Sequence, residues 1–265
     1  MWAVGIDYVL VAERLEAGTW VRHDPPYPGG GMLWGSVAIS ATDVWAVGQY
    51  TGNVIHGLTQ HWDGTSWTTI PDDPLPLGEL FQRASASSSS DVWAVGYGTG
   101  ANLNSGAVAE HWDGTAWTNI SVPSLGDDSV LIGVVAIAPD DAWAVGYFNY
   151  SGNPAQPLVL HWDGAQWTNM DVPYPPGSNT SLYDVAASGP NDVWAVGASD
   201  GPNGSRPLAE HWDGASWTMQ KPQFNADQAL LGAVLALSPG NIWTAGTQII
   251  GSAQNPLIEH SVVCR

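Results

Sequence analysis

Positive charge is the first thing that the sequence has little of. Its 265 residues include six Lys and Arg against 25 Asp and Glu, so the net charge is −19 at pH 7, and charged residues make up 12 % of the chain. A surface of this sign repels nucleic-acid phosphates and anionic membranes. The composition therefore excludes the classes of protein that work by neutralising phosphate groups.

The sequence also lacks cysteine pairs and long apolar runs. Its single cysteine, Cys264, excludes an internal disulfide and a cysteine-based metal cluster. No apolar run reaches the roughly 18 residues of a membrane span, which predicts no membrane insertion. No basic segment followed by an apolar one opens the sequence, so we expect no signal peptide within it.

Tryptophan is present in excess, with sixteen copies, and fifteen of them fall in an internal repeat that leaves out only Trp34. The first motif reads Asp-Val-Trp-Ala-Val-Gly with small variations, and it occurs at 43–48, 91–96, 141–146, 192–197 and, in weaker form, at 2–5 and 241–246. The second motif reads His-Trp-Asp-Gly-x-x-Trp-Thr, and it begins at His61, His111, His161 and His211, at a spacing of 50 residues. A decayed copy surrounds Trp20, and His260 marks a last, incomplete one. A period of this length is typical of propellers and solenoids.

Each repeat is expected to form four short antiparallel strands and almost no helix. In the second full repeat we predict strands at 84–88, 92–96, 107–112 and 116–120, because these runs are β-branched or aromatic and are bounded by Gly, Asp, Ser or Pro. Asp113-Gly114 predicts a tight hairpin between the last two strands. The second strand is apolar on both faces, which indicates a small sheet packed between two similar sheets.

Near-identical units of this kind favour an all-β fold, a β-propeller whose four-stranded blades are separated by tryptophan rings. We predict one domain over residues 1–265 with six blades, at about 1–31, 32–80, 81–130, 131–181, 182–230 and 231–265. The first repeat lacks a first strand and the last lacks a fourth one. Five blades are the alternative if both ends share one blade, and the incomplete ends also permit pairing with a neighbouring molecule.

The repeat resembles that of the kelch-like propellers, a class that includes the galactose oxidase central domain. The strand Val92-Trp93-Ala94-Val95-Gly96 and the pair Trp112 and Trp117 occupy the matching places. The repeat departs from kelch in having one glycine instead of a Gly-Gly pair, and in the five-residue spacing of its aromatic pair. It is more similar to the tryptophan-rich propeller repeats of bacterial secreted and cell-surface proteins. The resemblance implies this architecture and an extracellular or cell-surface location, and it is nearly silent on activity.

The connections between strands predict where a ligand binds. The first-to-second and third-to-fourth connections are short and alike, so they form one uniform face. The second-to-third connections, at 97–106, 147–156 and 198–206, and the links between repeats are long and differ from unit to unit. We name the face that they form the variable-loop face. Variable loops on a rigid scaffold commonly carry function.

Seven residues on the variable-loop face are predicted to contact a ligand. Aromatic rings stack on the apolar faces of sugars, and carboxylate and amide groups bind hydroxyls, so the set suits a carbohydrate or protein ligand. The candidates are Trp34, Gln82, Arg83, Tyr97, Tyr147, Tyr183 and Asp184. The alternative is that the aromatic members only cover the core beneath a loop.

No catalytic residue, metal or cofactor is predicted. The histidine of the second motif recurs in the repeats, which is typical of a structural role, and copies spread around a ring lie too far apart to share one metal ion. The five arginines are too scattered for the three-arginine site of a sialidase-like propeller, and Cys264 is too near the terminus for a galactose-oxidase-like copper site.

We therefore interpret the chain as a non-catalytic binding or scaffold module of a secreted or surface protein, with a protein or glycan as its partner. One alternative is a structural role without a ligand, including self-assembly through the incomplete terminal blades or a designed repeat propeller. Another is a hydrolase or lyase that uses Arg83 and Asp184.

Overall fold

The computed structural model describes residues 1–7, 9–26, 29–99, 105–202, 204–221, 226 and 228–262. Cys264 and part of the 97–106 connection lie outside these residues. The described residues form twenty-two β-strands and no helix. Within the same ranges, no helix has the length and hydropathy needed to cross a membrane.

The chain divides into two compact units, Met1–Val122 and Pro123–Arg265, and the first unit holds three sheets. Blade 1 consists of β1 (Trp2–Asp7), β2 (Val9–Glu16) and β3 (Thr19–Arg22). Blade 2 consists of β4 (Met32–Ser40), β5 (Asp43–Thr51), β6 (Ile55–Trp62) and β7 (Trp67–Thr69). Blade 3 consists of β8 (Glu79–Ser88), β9 (Asp91–Thr99), β10 (Ser105–Trp112) and β11 (Trp117–Asn119).

The second unit holds the other three sheets. Blade 4 consists of β12 (Asp128–Ala138), β13 (Asp141–Asn149), β14 (Gln156–Trp162) and β15 (Trp167–Asn169). Blade 5 consists of β16 (Asn179–Gly189), β17 (Asp192–Gly201), β18 (Gly204–Trp212) and β19 (Trp217–Gln220). Blade 6 consists of β20 (Gln228–Ser238), β21 (Asn241–Ile250) and β22 (Ala253–Val262).

Every sheet is an antiparallel meander of consecutive strands, and the fold class is the predicted β-propeller with six blades. Blades 2 to 5 have four strands, while blades 1 and 6 have three, as the incomplete repeats at the two ends predict. The alternative in which both ends share one blade is wrong, because the strands of blades 1 and 6 form separate sheets. The single-domain organisation stays a prediction.

The strand bounds differ from the predicted ones in two ways. The first three strands of the third blade are longer than predicted. β8 begins at Glu79 and pairs with β9 across a register shift between Phe81 and Arg83, which no sequence pattern marks. The fourth strand is shorter, because the Asp-Gly hairpin takes four residues between the paired Trp112 and Trp117. The Asp113 carboxylate accepts hydrogen bonds from the Thr115 and Ala116 amides at 2.7 and 3.0 Å, which stabilises this wider loop. The Thr115 hydroxyl, which is also a donor, and the two amides lower the pKa of Asp113 to about 2.

Tryptophan rings fill the spaces between neighbouring blades inside each unit. In the first unit, Trp45 of blade 2 meets Trp112 and Trp117 of blade 3, with ring centroids 4.9 and 5.2 Å apart. Trp143 of blade 4 meets the matching pair of blade 5 in the second unit. Trp45 and Trp143 are each 1 % exposed. Burying a large side chain contributes roughly 1.5–3 kcal/mol, and an aromatic pair adds about 0.5–1.5 kcal/mol, so these contacts are a main source of stability.

Candidate functional site

The innermost strand of each blade from 2 to 6 has two β-bulges, and the first of them falls at a residue that varies from blade to blade. The register of pairing with the second strand shifts there in all five sheets. The residues at the shift are Trp34, Gln82, Ile132, Tyr183 and Gly232. The predicted strand at 84–88 left Gln82 ahead of it, whereas the structure places Gln82 inside β8. A bulge re-aims its side chain and commonly lies near functional sites, so these positions are candidates within each unit.

The first unit brings Trp34, Gln82 and Arg83 together where blades 2 and 3 meet. Trp34 is 46 % exposed, and Gln82 and Arg83 are half-buried. The Arg83 guanidinium donates hydrogen bonds to the backbone oxygens of Trp34 and Gln82, at 3.1 and 3.2 Å. Gly35 makes this approach possible, since a Cβ there would stand 2.8 Å from the Cα of Arg83. Tyr97, the fourth candidate in this unit, is half-buried on β9 and pairs with Leu80 and Ala107.

The second unit brings Tyr147, Tyr183 and Asp184 together. Burial raises the pKa of the Tyr183 hydroxyl, and the nearby Asp200 and Tyr147 raise it further. Both tyrosines are half-buried, so part of each ring remains accessible to solvent. Asp184 links two blades, because its Oδ2 accepts a hydrogen bond from the backbone N–H of Val234 at 2.9 Å.

Two of the seven candidates thus have a backbone partner in a neighbouring blade. Arg83 ties blade 3 to blade 2, and Asp184 ties blade 5 to blade 6. These contacts give both charged groups a structural role that the sequence did not indicate. Contact with a ligand stays a prediction for all seven residues.

An open cleft of about 500 Å³ lies on the variable-loop face of the second unit. It lies between the link that joins blades 4 and 5 and the second-to-third connection of blade 5. Its walls are prolines, and two of the six Lys and Arg of the whole chain stand at it. The lining includes Pro175, Pro176, Ser178, Ser199, Pro202, Arg206, Met219 and Lys221.

A network of hydroxyl groups forms the floor of this cleft. Ser178 and Ser199 line it, their hydroxyl oxygens lie 2.8 Å apart, and Thr180 joins both of them at 3.1 Å. The Ser178 hydroxyl also donates to the backbone oxygen of Pro175 at 2.6 Å, which fixes the proline link above. Because these hydroxyl groups already hold one another in place, the floor of the cleft is suited to binding a ligand without first having to become ordered.

The cleft was not predicted from the sequence. Its two variable connections were, but Arg206 was predicted only as one of five scattered arginines, and Lys221 is not among the seven candidates. The available signal was that one of the few arginines, Arg206, ends a variable connection and that the only lysine, Lys221, begins a link between two repeats.

The repeated histidines have partners within their own blades. In blade 4, the Nε2 of His161 is 3.0 Å from the Asp141 carboxylate, and the imidazole stacks on Trp143 with centroids 4.2 Å apart. The same pairing recurs in blades 2, 3 and 5, and Asn241 takes the place of the aspartate in blade 6. In the part of the chain that the structure describes, no three His, Cys, Asp or Glu side chains meet in a way that would hold a metal ion.

Glu110 and Glu210, which directly precede the second-motif histidines of blades 3 and 5, are fully buried. Burial raises the pKa of Glu210 to about 8. Burial, together with the nearby Asp72 and Glu79 carboxylates, raises the pKa of Glu110 to about 9. At the same position in blade 2, Gln60 donates from Nε2 to the backbone oxygen of Pro26 and to Thr69. The sequence analysis did not single out this position.

Comparison with known proteins identifies the architecture. No protein-family model matches the chain, and no curated protein matches it. Among solved structures, YCF48 bound to a D1 peptide is 16 % identical with a TM-score of 0.55, over 96 % of this chain and 76 % of that one. A fungal lectin from Aleuria aurantia, a six-bladed β-propeller that recognises fucose, is 15 % identical with a TM-score of 0.55, over 97 % and 86 %.

A third match is the PL25 ulvan lyase in complex with a saccharide, which is 12 % identical with a TM-score of 0.60, over 96 % of this chain and 70 % of that one. At these identities the likeness shows the fold alone. The chain therefore has the β-propeller fold, and the resemblance to kelch-like and tryptophan-rich repeats stays a prediction.

Proposed function

We propose that this chain is a non-catalytic binding module of a secreted or cell-surface protein, and that it recognises a carbohydrate or protein with its variable-loop face. The observation that carries the proposal is the cleft of about 500 Å³, where variable connections, proline walls and two scarce cations converge. Concave, mostly apolar sites with a few placed polar groups are the usual form of ligand sites.

The lining of the cleft suits a polar chain with some negative charge. Arg206 and Lys221 supply positive charge in a protein whose net charge is −19, so they would attract an acidic group to this one place. The serine hydroxyls offer hydrogen bonds, and the prolines offer flat apolar surface. A glycan with carboxylate or sulfate groups fits this chemistry best. Among the matched structures, the fucose-recognising lectin and the peptide-bound YCF48 are examples of this fold in a binding role, which supports the proposal.

The test is a direct binding screen against neutral and acidic glycans and acidic peptides, followed by titration of the best ligand. Arg206→Ala and Lys221→Ala are each expected to weaken binding by roughly tenfold, which corresponds to about 1.4 kcal/mol. Arg22→Ala is the matched control, because Arg22 is exposed in blade 1 and pairs with Asp24 there. A screen with no saturable ligand for the folded protein would reject the proposal and leave the structural role, including self-assembly through the terminal blades.

A lyase or hydrolase is the other reading of the same face. We favour a binding module because Arg83 and Asp184, the two groups that a lyase or hydrolase would require, are each hydrogen-bonded to the backbone of a neighbouring blade. Polysaccharide breakdown that disappears in Asp184→Asn, in a variant with unchanged thermal stability, would replace the binding module by an enzyme.

A further inference from the structure

We propose that the cleft on the variable-loop face of the second unit takes one class of acidic glycan, a uronate oligosaccharide. Its carboxylate contacts Arg206 and Lys221, and one of its free ring hydroxyls donates a hydrogen bond to Ser199. The inference rests on the proposed function, because it concerns the same cleft. It goes further in requiring a hydroxyl proton, which excludes glycans whose hydroxyls are all sulfated or etherified.

The hydroxyl network in the floor of the cleft has a fixed direction. The Ser178 hydroxyl lies 2.6 Å from the backbone oxygen of Pro175, and because a carbonyl oxygen only accepts, Ser178 gives its one proton there. The Ser199 hydroxyl lies 2.8 Å from that of Ser178 and therefore donates to it. The Thr180 hydroxyl lies 3.1 Å from that of Ser199 and donates in turn, since the Ser199 proton is already used.

All three hydroxyl protons are thus used within the network. Ser178 and Ser199 line the cleft, while Thr180 is fully buried beneath them. A hydroxyl oxygen has two lone pairs, and Ser199 uses one of them on the Thr180 proton, which leaves the other to accept from a ligand. The floor of the cleft therefore accepts hydrogen bonds and does not donate them.

The walls of the cleft supply few neutral donors. Gln220 directs its Nε2 to the backbone and side-chain oxygens of Thr218, at 3.4 and 2.9 Å. Among the described residues that line the cleft, the side chains left to donate N–H groups to a ligand are Arg206 and Lys221. The prolines of the lining have no backbone N–H, and they are Pro175, Pro176, Pro202 and Pro207. The donor side chains are therefore cationic, whereas the neutral floor accepts.

The acceptor and one of the cations are neighbours. Ser199 on β17 pairs directly with Arg206 on β18. Residues opposite each other on antiparallel strands share one face of the sheet and have Cβ atoms about 4.5–5.5 Å apart. A ligand that reaches both must carry an anionic group close to a hydrogen-bond donor. A uronate ring has a carboxylate and hydroxyls on one frame, whereas a sulfate ester replaces the proton of the hydroxyl that it modifies.

An acidic peptide is the other class of ligand that carries both groups. Its carboxylates lie on rotatable side chains and its N–H groups on a flexible backbone, so binding must first order several bonds. The uronate ring presents its carboxylate and hydroxyls already fixed, to a floor that is itself held in place by hydrogen bonds. These costs favour the saccharide over the peptide.

The test is isothermal titration calorimetry of the unmodified protein at physiological ionic strength. The probes are oligomers of galacturonate, glucuronate and mannuronate, the same oligomers with O-methylated ring hydroxyls, and sucrose octasulfate, which is highly charged but has no hydroxyl proton. We expect one of the free oligomers to bind saturably and its O-methylated form to bind about tenfold more weakly. Sucrose octasulfate is expected to bind more weakly than this oligomer in spite of its larger charge.

Ser178→Ala tests the direction of the network. Without the Ser178 hydroxyl, the Ser199 proton is no longer committed and can turn toward the cleft, so the floor can donate. We expect the preference for the free oligomer over its O-methylated form to fall to about threefold or less. Ser188→Ala is the matched control and is expected to keep the preference, because Ser188 is a half-buried serine of the same blade that donates to Asp192 at the other end of β16.

The outcomes separate this inference from the proposed function. Equal binding of the free and O-methylated oligomers, both weakened by Arg206→Ala, would overturn the requirement for a hydroxyl proton and leave the binding module intact. Tighter binding of sucrose octasulfate or of an oligoglutamate peptide would replace the uronate by that class of ligand. If no uronate oligomer binds, the inference is rejected, and the wider ligand screen decides on the proposed function. The comparison of probes needs no variant, so it holds even if Ser178→Ala does not fold.

Discussion

The indole of Trp217 meets the indole of Trp143 edge to face, with ring centroids 5.3 Å apart and planes at 78°. The two rings come from neighbouring blades, and they are 5 % and 1 % exposed. Trp217→Ala is expected to lower the free energy of unfolding by about 3–5 kcal/mol, because it removes a buried ring and leaves a cavity between the blades. Urea denaturation followed by circular dichroism measures the loss.

Trp20→Ala provides the control for this prediction. Trp20 holds the fourth-strand position in blade 1, yet it is 44 % exposed. Its removal is expected to cost less than about 1 kcal/mol, as for most surface substitutions away from special contacts. Similar losses for the two variants would contradict the view that indoles hold neighbouring blades together.

The glycine that ends the first motif predicts a second contrast. A Cβ at Gly146 would overlap the backbone oxygen of Val130 on the innermost strand, opposite the bulge. We expect Gly146→Ala to destabilise the fold by more than about 2 kcal/mol, since the backbone itself must move. Gly189→Ala is the matched control, because a Cβ there meets no atom within 4 Å and its φ is not positive. The melting temperatures of both variants decide the point, and equal values would refute the close-approach explanation.

Glu210 predicts a pH dependence of stability. Burial raises its pKa to about 8 in the folded chain, whereas the unfolded chain ionises near the ordinary glutamate value of 4.5. Below that value both states hold the proton, and as the pH rises toward 8 only the unfolded state loses it. The free energy of unfolding therefore falls over this range. We expect Glu210→Gln to raise the melting temperature at pH 7.5 by a few degrees and to have little effect at pH 4.

Glu210→Leu is a second variant for the same test, because Leu160 holds this position in blade 4 and is fully buried there. It is expected to reduce the fall in stability with rising pH in the same way, while the buried Glu110 keeps its own contribution. A wild-type melting temperature that does not fall between pH 4 and 8 would contradict the prediction that the raised pKa of Glu210 makes the stability depend on pH.

The bulge residues predict a loss of binding. For a carbohydrate or protein ligand that binds at a bulge residue instead of in the cleft, Trp34→Ala in the first unit or Tyr183→Ala in the second is expected to raise the dissociation constant of the ligand bound there at least tenfold, because each ring lies at a re-aimed position with exposed surface. Ile132→Ala, the same position in blade 4, serves as the control and is expected to change it little. A lower melting temperature without any change in affinity would instead assign these aromatics to covering the core.

The blades are predictable from the sequence because their signals repeat. The positions of Trp93, His111 and Asp113 recur at fixed spacing. His111 contacts Trp93 and Asp91 on the paired strand of the same blade, and Asp113 accepts a hydrogen bond from the Thr115 amide within its own hairpin. Six blades, short strands and buried indoles follow from such local signals. The length of the hairpin loop was not predicted, because it depends on the hydrogen bonds that the Asp113 carboxylate accepts from the Thr115 and Ala116 amides.

Features that depend on two distant strands were not predictable. The bulges leave no pattern of their own, because the residues at them range from Trp34 to Gly232. In the sequence, the glycine that ends the first motif indicates only the end of a strand. Glycine is needed there because a Cβ would overlap a backbone oxygen of the neighbouring innermost strand. The cleft was missed because Arg206 and Lys221 come together only through the path of β18 and β19.

The meander order of the strands has a consequence for how the chain folds. Each sheet pairs neighbours in sequence, so a blade needs only the few dozen residues of its own repeat to form. Strand pairing within one repeat allows assembly to begin at the N-terminus during synthesis. We expect the blades to form on the ribosome in the order of their repeats, with blades 2, 3 and 5 each supplying the indoles that contact the tryptophan of the blade made before it.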